Sequence, residues 1–74
     1  MMKYVLDITK DHCPMTFVKT KLRLEKLGKG DRLEVLLNEG EPLENVPKTA
    51  KEQGYRVLGI THLEGKVHSV LLEK

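Results

Sequence analysis

Tryptophan is absent from this chain of 74 residues, phenylalanine and cysteine occur once each, and proline occurs three times. Each scarcity closes a route. One cysteine leaves no internal disulfide to staple a small fold. That cysteine and the three scattered histidines show no metal-ligand spacing, so no metal or other cofactor is expected. Aromatic residues make up 4% of the chain, and lysine and arginine are spread along it without a basic block. A base-stacking groove for direct nucleic-acid binding is therefore unsupported. No apolar run approaches the roughly 20 residues of a membrane span. The first residues lack the apolar centre of a signal peptide, and a lone free thiol suits a reducing compartment, so the cytoplasm is the expected location. There is no glycine-rich phosphate loop, no Ser/His/Asp order and no paired-carboxylate pattern, which removes kinases, hydrolases and nucleases. The net charge of +2 names no partner class by itself.

What is present reads as one α+β domain over residues 1–74. Tyr4-Val5-Leu6-Asp7-Ile8 is strand-like. A helix follows, opened by Pro14 and closed by Gly28, with Phe17, Thr20, Leu24 and Leu27 on one face. Val18 and Leu22 are offset around it and read as the edge of the core, with an apolar docking patch as the alternative. Leu33–Leu37 is a second strand, and Asn38–Pro42 is a turn. Pro47 opposes a continuous second helix. The pattern therefore predicts a short turn at 42–46, then a helix from Pro47 to about Gln53, stopped by Gly54. Residues 55–61 and 67–72 read as strands joined at Glu64-Gly65. The order β-α-β-α-β-β predicts a two-layer α/β sandwich, with a mixed four-stranded sheet and both helices on one face.

Cys13 is the chemically special residue. It falls where the first helix begins, as the N-cap residue before Pro14. Unpaired N–H groups and the positive end of the dipole favour a thiolate there. The thiolate is the nucleophile, and helix N-termini lower thiol pKa values. A buried, inert cysteine is the bland alternative.

Cys13-Pro14, the glycine-ended helix, Gly30, Pro42, Val46-Pro47 and Gly54 together resemble the TusA/SirA family of small sulfur carriers, from Leu6 to the final strand. The family's second motif proline is Thr16 here. Thr9-Lys10-Asp11 stands where the family has Arg-Gly-Leu, and Gly40-Glu41-Pro42 where it has Asp-Asp-Pro. The resemblance implies a sulfurtransferase-like relay rather than an enzyme with a small-molecule pocket. Cys13 would take sulfane sulfur as a persulfide from a cysteine desulfurase or rhodanese-like donor protein and pass it to a protein acceptor.

Around Cys13, Pro14 presets the helix entry, and Thr16 either bonds a persulfide or completes the first turn. His12 is either a proton shuttle or a loop residue. Asp11 would raise a nearby thiol pKa, so an activated Cys13 requires it to face away. Val18, Lys19, Leu22 and Arg23 are the candidate docking residues, the cations serving to steer an acidic partner protein. His62 and His68 show no partner at ligand spacing and read as structural or surface residues. The chain is expected to be monomeric, given the charged residues near its strand ends. The competing reading is a regulatory or protein-interaction module on the same fold, in which the thiol is incidental.

Overall fold

The alternation of Leu33, Val35 and Leu37 with Glu34 and Leu36 places three aliphatic side chains on one face of a strand, where all three are fully buried. That strand organises the fold. The structure is a computed structural model that describes residues 3–11 and 15–74. Its elements run β1 (Lys3–Asp7), α1 (Met15–Glu25), β2 (Arg32–Asn38), α2 (Glu41–Glu52), β3 (Arg56–Glu64) and β4 (Val67–Glu73). The sheet order is β1-β2-β4-β3. β1 pairs parallel with β2, while β4 pairs antiparallel with both β2 and β3. This is the mixed four-stranded sheet and the β-α-β-α-β-β order that the sequence implies.

The core is aliphatic. Ile8, Leu24, Leu27, Val46, Ala50, Val70 and Leu72 join the three β2 residues in one buried cluster, with Tyr4, Leu6, Leu43, Tyr55 and Val57 packed against it. The register sets Leu33 opposite Leu72 and Val35 opposite Val70, so β2 and β4 share one inner face. The other face of the sheet carries a polar network. The Ser69 hydroxyl donates to Glu34 Oε2 at 2.6 Å, and Lys3 Nζ lies 3.4 Å from Glu34 Oε1. The Ser69 bond, and secondarily the Lys3 charge, hold the Glu34 carboxyl below the usual glutamate range.

Two sequence expectations are corrected here. α2 is not a turn followed by a helix starting at Pro47; it is continuous over Glu41–Glu52, with Pro47 inside it. Pro42 occupies the first turn, where proline is preorganised, and the Glu44 N–H already reaches the Gly40 carbonyl at 3.1 Å. The missing N–H of Pro47 costs one helical bond, but Val46, Pro47 and Ala50 are all buried against the sheet. Tertiary packing holds the helix across the proline. Gly40, at φ 103°, starts α2 from a backbone conformation that side chains disfavour.

The second correction concerns α1. Its buried residues are Thr16, Thr20 and Leu24, continued by Leu27 beyond the helix. Phe17 is only half-buried and lies off this line. Thr20, Leu24 and Leu27 are buried as the spacing predicts, and Thr16, four residues before Thr20, takes the place of Phe17 as the first member of the face.

Candidate functional site

Parallel β1 and β2 end together, and the residues after β1 are tied down at that end of the sheet. The Ile8 N–H donates to the Leu36 carbonyl at 2.9 Å, extending the ladder by one residue. Asp7 Oδ1 accepts from the Thr9 backbone N–H at 2.9 Å and from the Thr9 hydroxyl at 2.7 Å, a local turn at the strand exit. These two bonds lower the Asp7 carboxyl pKa, the backbone bond most. Asn38, at the end of β2, donates its side-chain amide to the Thr9 carbonyl at 2.6 Å. The Asp11 N–H returns to the Ile8 carbonyl at 3.1 Å. The chain is therefore anchored as far as Asp11 and resumes as helix at Met15. His12, Cys13 and Pro14 lie outside the described residues, and so do the expectations that Cys13 caps the helix, that Pro14 opens it and that His12 assists.

The described neighbours set the electrostatics of the approach. Asp11 Oδ1 is 2.7 Å from Lys19 Nζ, which offsets the nearest carboxylate in sequence to Cys13. α1 carries no acidic residue in its first turn, so its positive dipole end is not already matched by a carboxylate of its own. Thr16 is 1% exposed, and its hydroxyl has no hydrogen-bond partner among the described residues. The Thr20 hydroxyl donates to the Thr16 carbonyl at 2.8 Å.

On its outer face α1 presents apolar and cationic side chains together. Met15 is 47% exposed, Val18 39% and Leu22 54%, at the three- and four-residue spacing of one helical stripe. The reading of Val18 and Leu22 as core edge is thereby overturned: both point outward, because the inner face is occupied by the Thr16–Thr20–Leu24 line. Lys19, Leu22, Arg23 and Lys26 line a shallow open groove with Leu6 of β1. Of the sequence-named docking residues, Val18, Lys19, Leu22 and Arg23 therefore all lie on the accessible side of the helix. Met15 and Lys26 belong beside them; continuing the Val18–Leu22 spacing back one turn finds Met15 in the sequence.

His62 and His68 are also not isolated. They face each other across the β3–β4 ladder, with ring centroids 4.6 Å apart and planes inclined by 29°. Glu64 belongs to β3 and the turn is Gly65-Lys66, one residue later than expected. A register shift between His62 and Glu64 sets His62 opposite His68, a pairing that turn symmetry alone does not give. Among the described residues, no group of three or more His, Cys, Asp and Glu side chains is placed to hold a metal ion. No described helix is long and apolar enough to cross a membrane.

A small mixed sheet under two helices, with a single cysteine between β1 and α1, defines a class that comparison with known proteins identifies. The family model described as sulfurtransferase TusA matches residues 4–74. The chain belongs to that family. A protein of Archaeoglobus fulgidus described as a candidate sulfur carrier is 36% identical over 70 residues, covering 95% of this chain and 80% of its own length. A second candidate sulfur carrier, from Methanocaldococcus jannaschii, is 38% identical over 66 residues, covering 89% of this chain and 88% of its own. YedF of Escherichia coli, named in the same way, is 34% identical over 71 residues, covering 96% and 91%. The crystal structure of a SirA-like protein from Desulfitobacterium hafniense superposes with a TM-score of 0.84 at 24% identity, covering 95% of each chain, and bears on the fold.

Proposed function

We propose that this protein is a sulfur carrier that holds sulfane sulfur as a persulfide on Cys13 and relays it between two proteins. The family match over residues 4–74, a span that includes the only cysteine, carries the reading. The candidate sulfur carriers among its relatives support the role. The chemistry balances without an added oxidant or reductant. The Cys13 thiolate attacks the outer sulfur of a donor protein's persulfide, and the donor thiolate leaves. An acceptor thiolate then attacks the outer sulfur on Cys13, and the Cys13 thiolate leaves. Each step exchanges one sulfur–sulfur bond for another.

The described surroundings favour this traffic. The Lys19 ammonium offsets Asp11, so less negative charge opposes a thiolate or persulfide anion on Cys13, two residues away in the sequence. The Met15–Val18–Leu22 stripe with Lys19, Arg23 and Lys26 supplies an apolar patch with a cationic rim. Such a surface steers an acidic partner and loses water on contact. A cysteine desulfurase or rhodanese-like protein is the donor in this account. The test is transfer of labelled sulfur from a loaded desulfurase to the wild-type chain and to Cys13→Ser. Label should appear on the wild type only. Label on Cys13→Ser would remove the reading. Unchanged partner binding with no loading of either protein would favour an interaction module built on the same outer face of α1.

A further inference from the structure

We propose that β3 is a self-pairing edge, along which two copies of the chain join antiparallel, about a two-fold axis at Ile60, to make one continuous sheet. β3 ends the sheet, with β4 on one side and no strand on the other. It is nine residues long, and every residue from Leu58 to Glu64 is exposed. Leu58 is 42% exposed, Ile60 51% and Leu63 49%, so the free edge is apolar as well as unpaired. Edge strands are ordinarily guarded by lysine, proline or other charge, and β3 has none of these between its two ends. Strand addition to such an edge draws its affinity from main-chain hydrogen bonds.

The charges at the two ends select a second copy as the occupant. Arg56 opens the strand and Glu64 closes it, so reversing the strand exchanges a cation for an anion. With Ile60 opposite the partner's Ile60, each Arg56 faces the partner's Glu64, once on either side of the axis. The half-exposed Ile60 side chains meet in the middle. Both charges are available for this. Glu64 has no ion pair among the described residues. The Arg56 side chain is 79% exposed and lies 3.7 Å from Glu73, which Arg32 already holds at 3.3 Å. The opposite edge of the sheet differs. β1 has five residues, and its terminal charges are occupied: Lys3 lies 3.4 Å from Glu34, and Asp7 accepts two bonds from Thr9. Charges near strand ends favour a monomer while they stand alone, but those of β3 are complementary to a second copy of themselves. The ladder to β4 shifts register between Val57 and Gly59 and between His62 and Glu64, which leaves Gly59–His62 as the regular stretch. The pairing is therefore short, and the dimer weak and concentration-dependent. The groove between α1 and Leu6 lies at the β1 edge and stays open in the dimer.

The experiment is sedimentation equilibrium of the full chain over about a hundredfold range of concentration, in a Cys13→Ser background so that no intermolecular disulfide forms. The average mass is expected to rise from one chain towards two. Ile60→Lys changes an exposed side chain and sets two ammonium groups at the axis, so it should leave a monomer. Glu64→Arg should raise the dissociation constant at least about tenfold, with Glu64→Gln falling between it and the unchanged edge. Added sodium chloride should weaken the dimer of the unchanged edge and tighten that of Glu64→Arg, because salt screens an attraction in one and a repulsion in the other. Amide protection at Gly59–His62 should increase with concentration, a readout that needs no substitution in β3. A monomer at every concentration, a dimer indifferent to Ile60→Lys, or the same salt response for Glu64 and Glu64→Arg would overturn the proposal.

Discussion

The two faces of α1 reverse the usual arrangement. The inner face begins with two threonines, Thr16 and Thr20, both fully buried, before Leu24 and Leu27. The outer face shows Met15, Val18 and Leu22 to solvent. A helix placed only by hydrophobicity would be rotated to bury Val18 and Leu22 in place of the threonines. The threonine stripe is tolerable because its members are small and Thr20 satisfies itself on the Thr16 carbonyl. The outer stripe has no such internal justification, since about half of its apolar surface stays open to solvent. Stability rests on one face, and the other is the docking surface that the proposed function calls for. Exposed apolar groups rimmed by charge are the usual mark of a contact surface.

Substitutions that separate the two faces sharpen this contrast. The largest effect belongs to the inner face. Leu24→Ala should lower unfolding free energy by about 2–5 kcal/mol, read from urea unfolding, a large share of what a small domain possesses. Leu22→Ala, the same chemical change two residues earlier, should stay within about 0.5 kcal/mol and instead slow sulfur transfer from a donor protein. Equal destabilisation by both would end the distinction between the faces.

Smaller effects follow. Thr20→Val removes a buried hydroxyl that has a partner and should cost about 1 kcal/mol. Thr16→Val removes one with no partner among the described residues and should cost less, or stabilise. A larger loss at Thr16 than at Thr20 would place a partner for it in residues 12–14. Arg23→Glu should slow loading by an acidic donor at low salt, with the difference from wild type shrinking as ionic strength rises. A salt-independent defect would argue against steering.

The smallest predicted change lies on the open face of the sheet. The Glu34 carboxyl is held below its ordinary range chiefly by Ser69, so its contribution to stability is present at neutral pH and fades as pH falls through the carboxylate range. Ser69→Ala should lower the urea midpoint at pH 7, and the gap from wild type should narrow in acid. A gap that widens in acid would reverse the sign of this coupling.

Much of this was legible in the sequence because the residues agree locally. Leu33, Val35 and Leu37 alternate as a half-buried strand must, and Gly65 marks the turn between β3 and β4. The errors share a cause. Pro47 looked like a helix boundary because its local cost is real, yet burial of Val46, Pro47 and Ala50 outweighs it. Phe17 looked like core because it lies three residues before Thr20, yet Thr16, four residues before Thr20, is the one buried. Val18 and Leu22 looked like core edge because they are apolar, yet both are exposed beside the buried line. Asp11 and Lys19, eight residues apart, meet as an ion pair that their spacing in the sequence does not announce. His62 and His68 seemed unrelated until the register of the hairpin placed them opposite one another.

The most direct test of the central claim is intact-protein mass spectrometry of the wild type and Cys13→Ser after incubation with a cysteine desulfurase and cysteine. The account predicts a gain of about one sulfur mass on the wild type alone, reversed by a reductant, as a thiolate-based persulfide requires. No gain on the wild type, or an equal gain on Cys13→Ser, would contradict it.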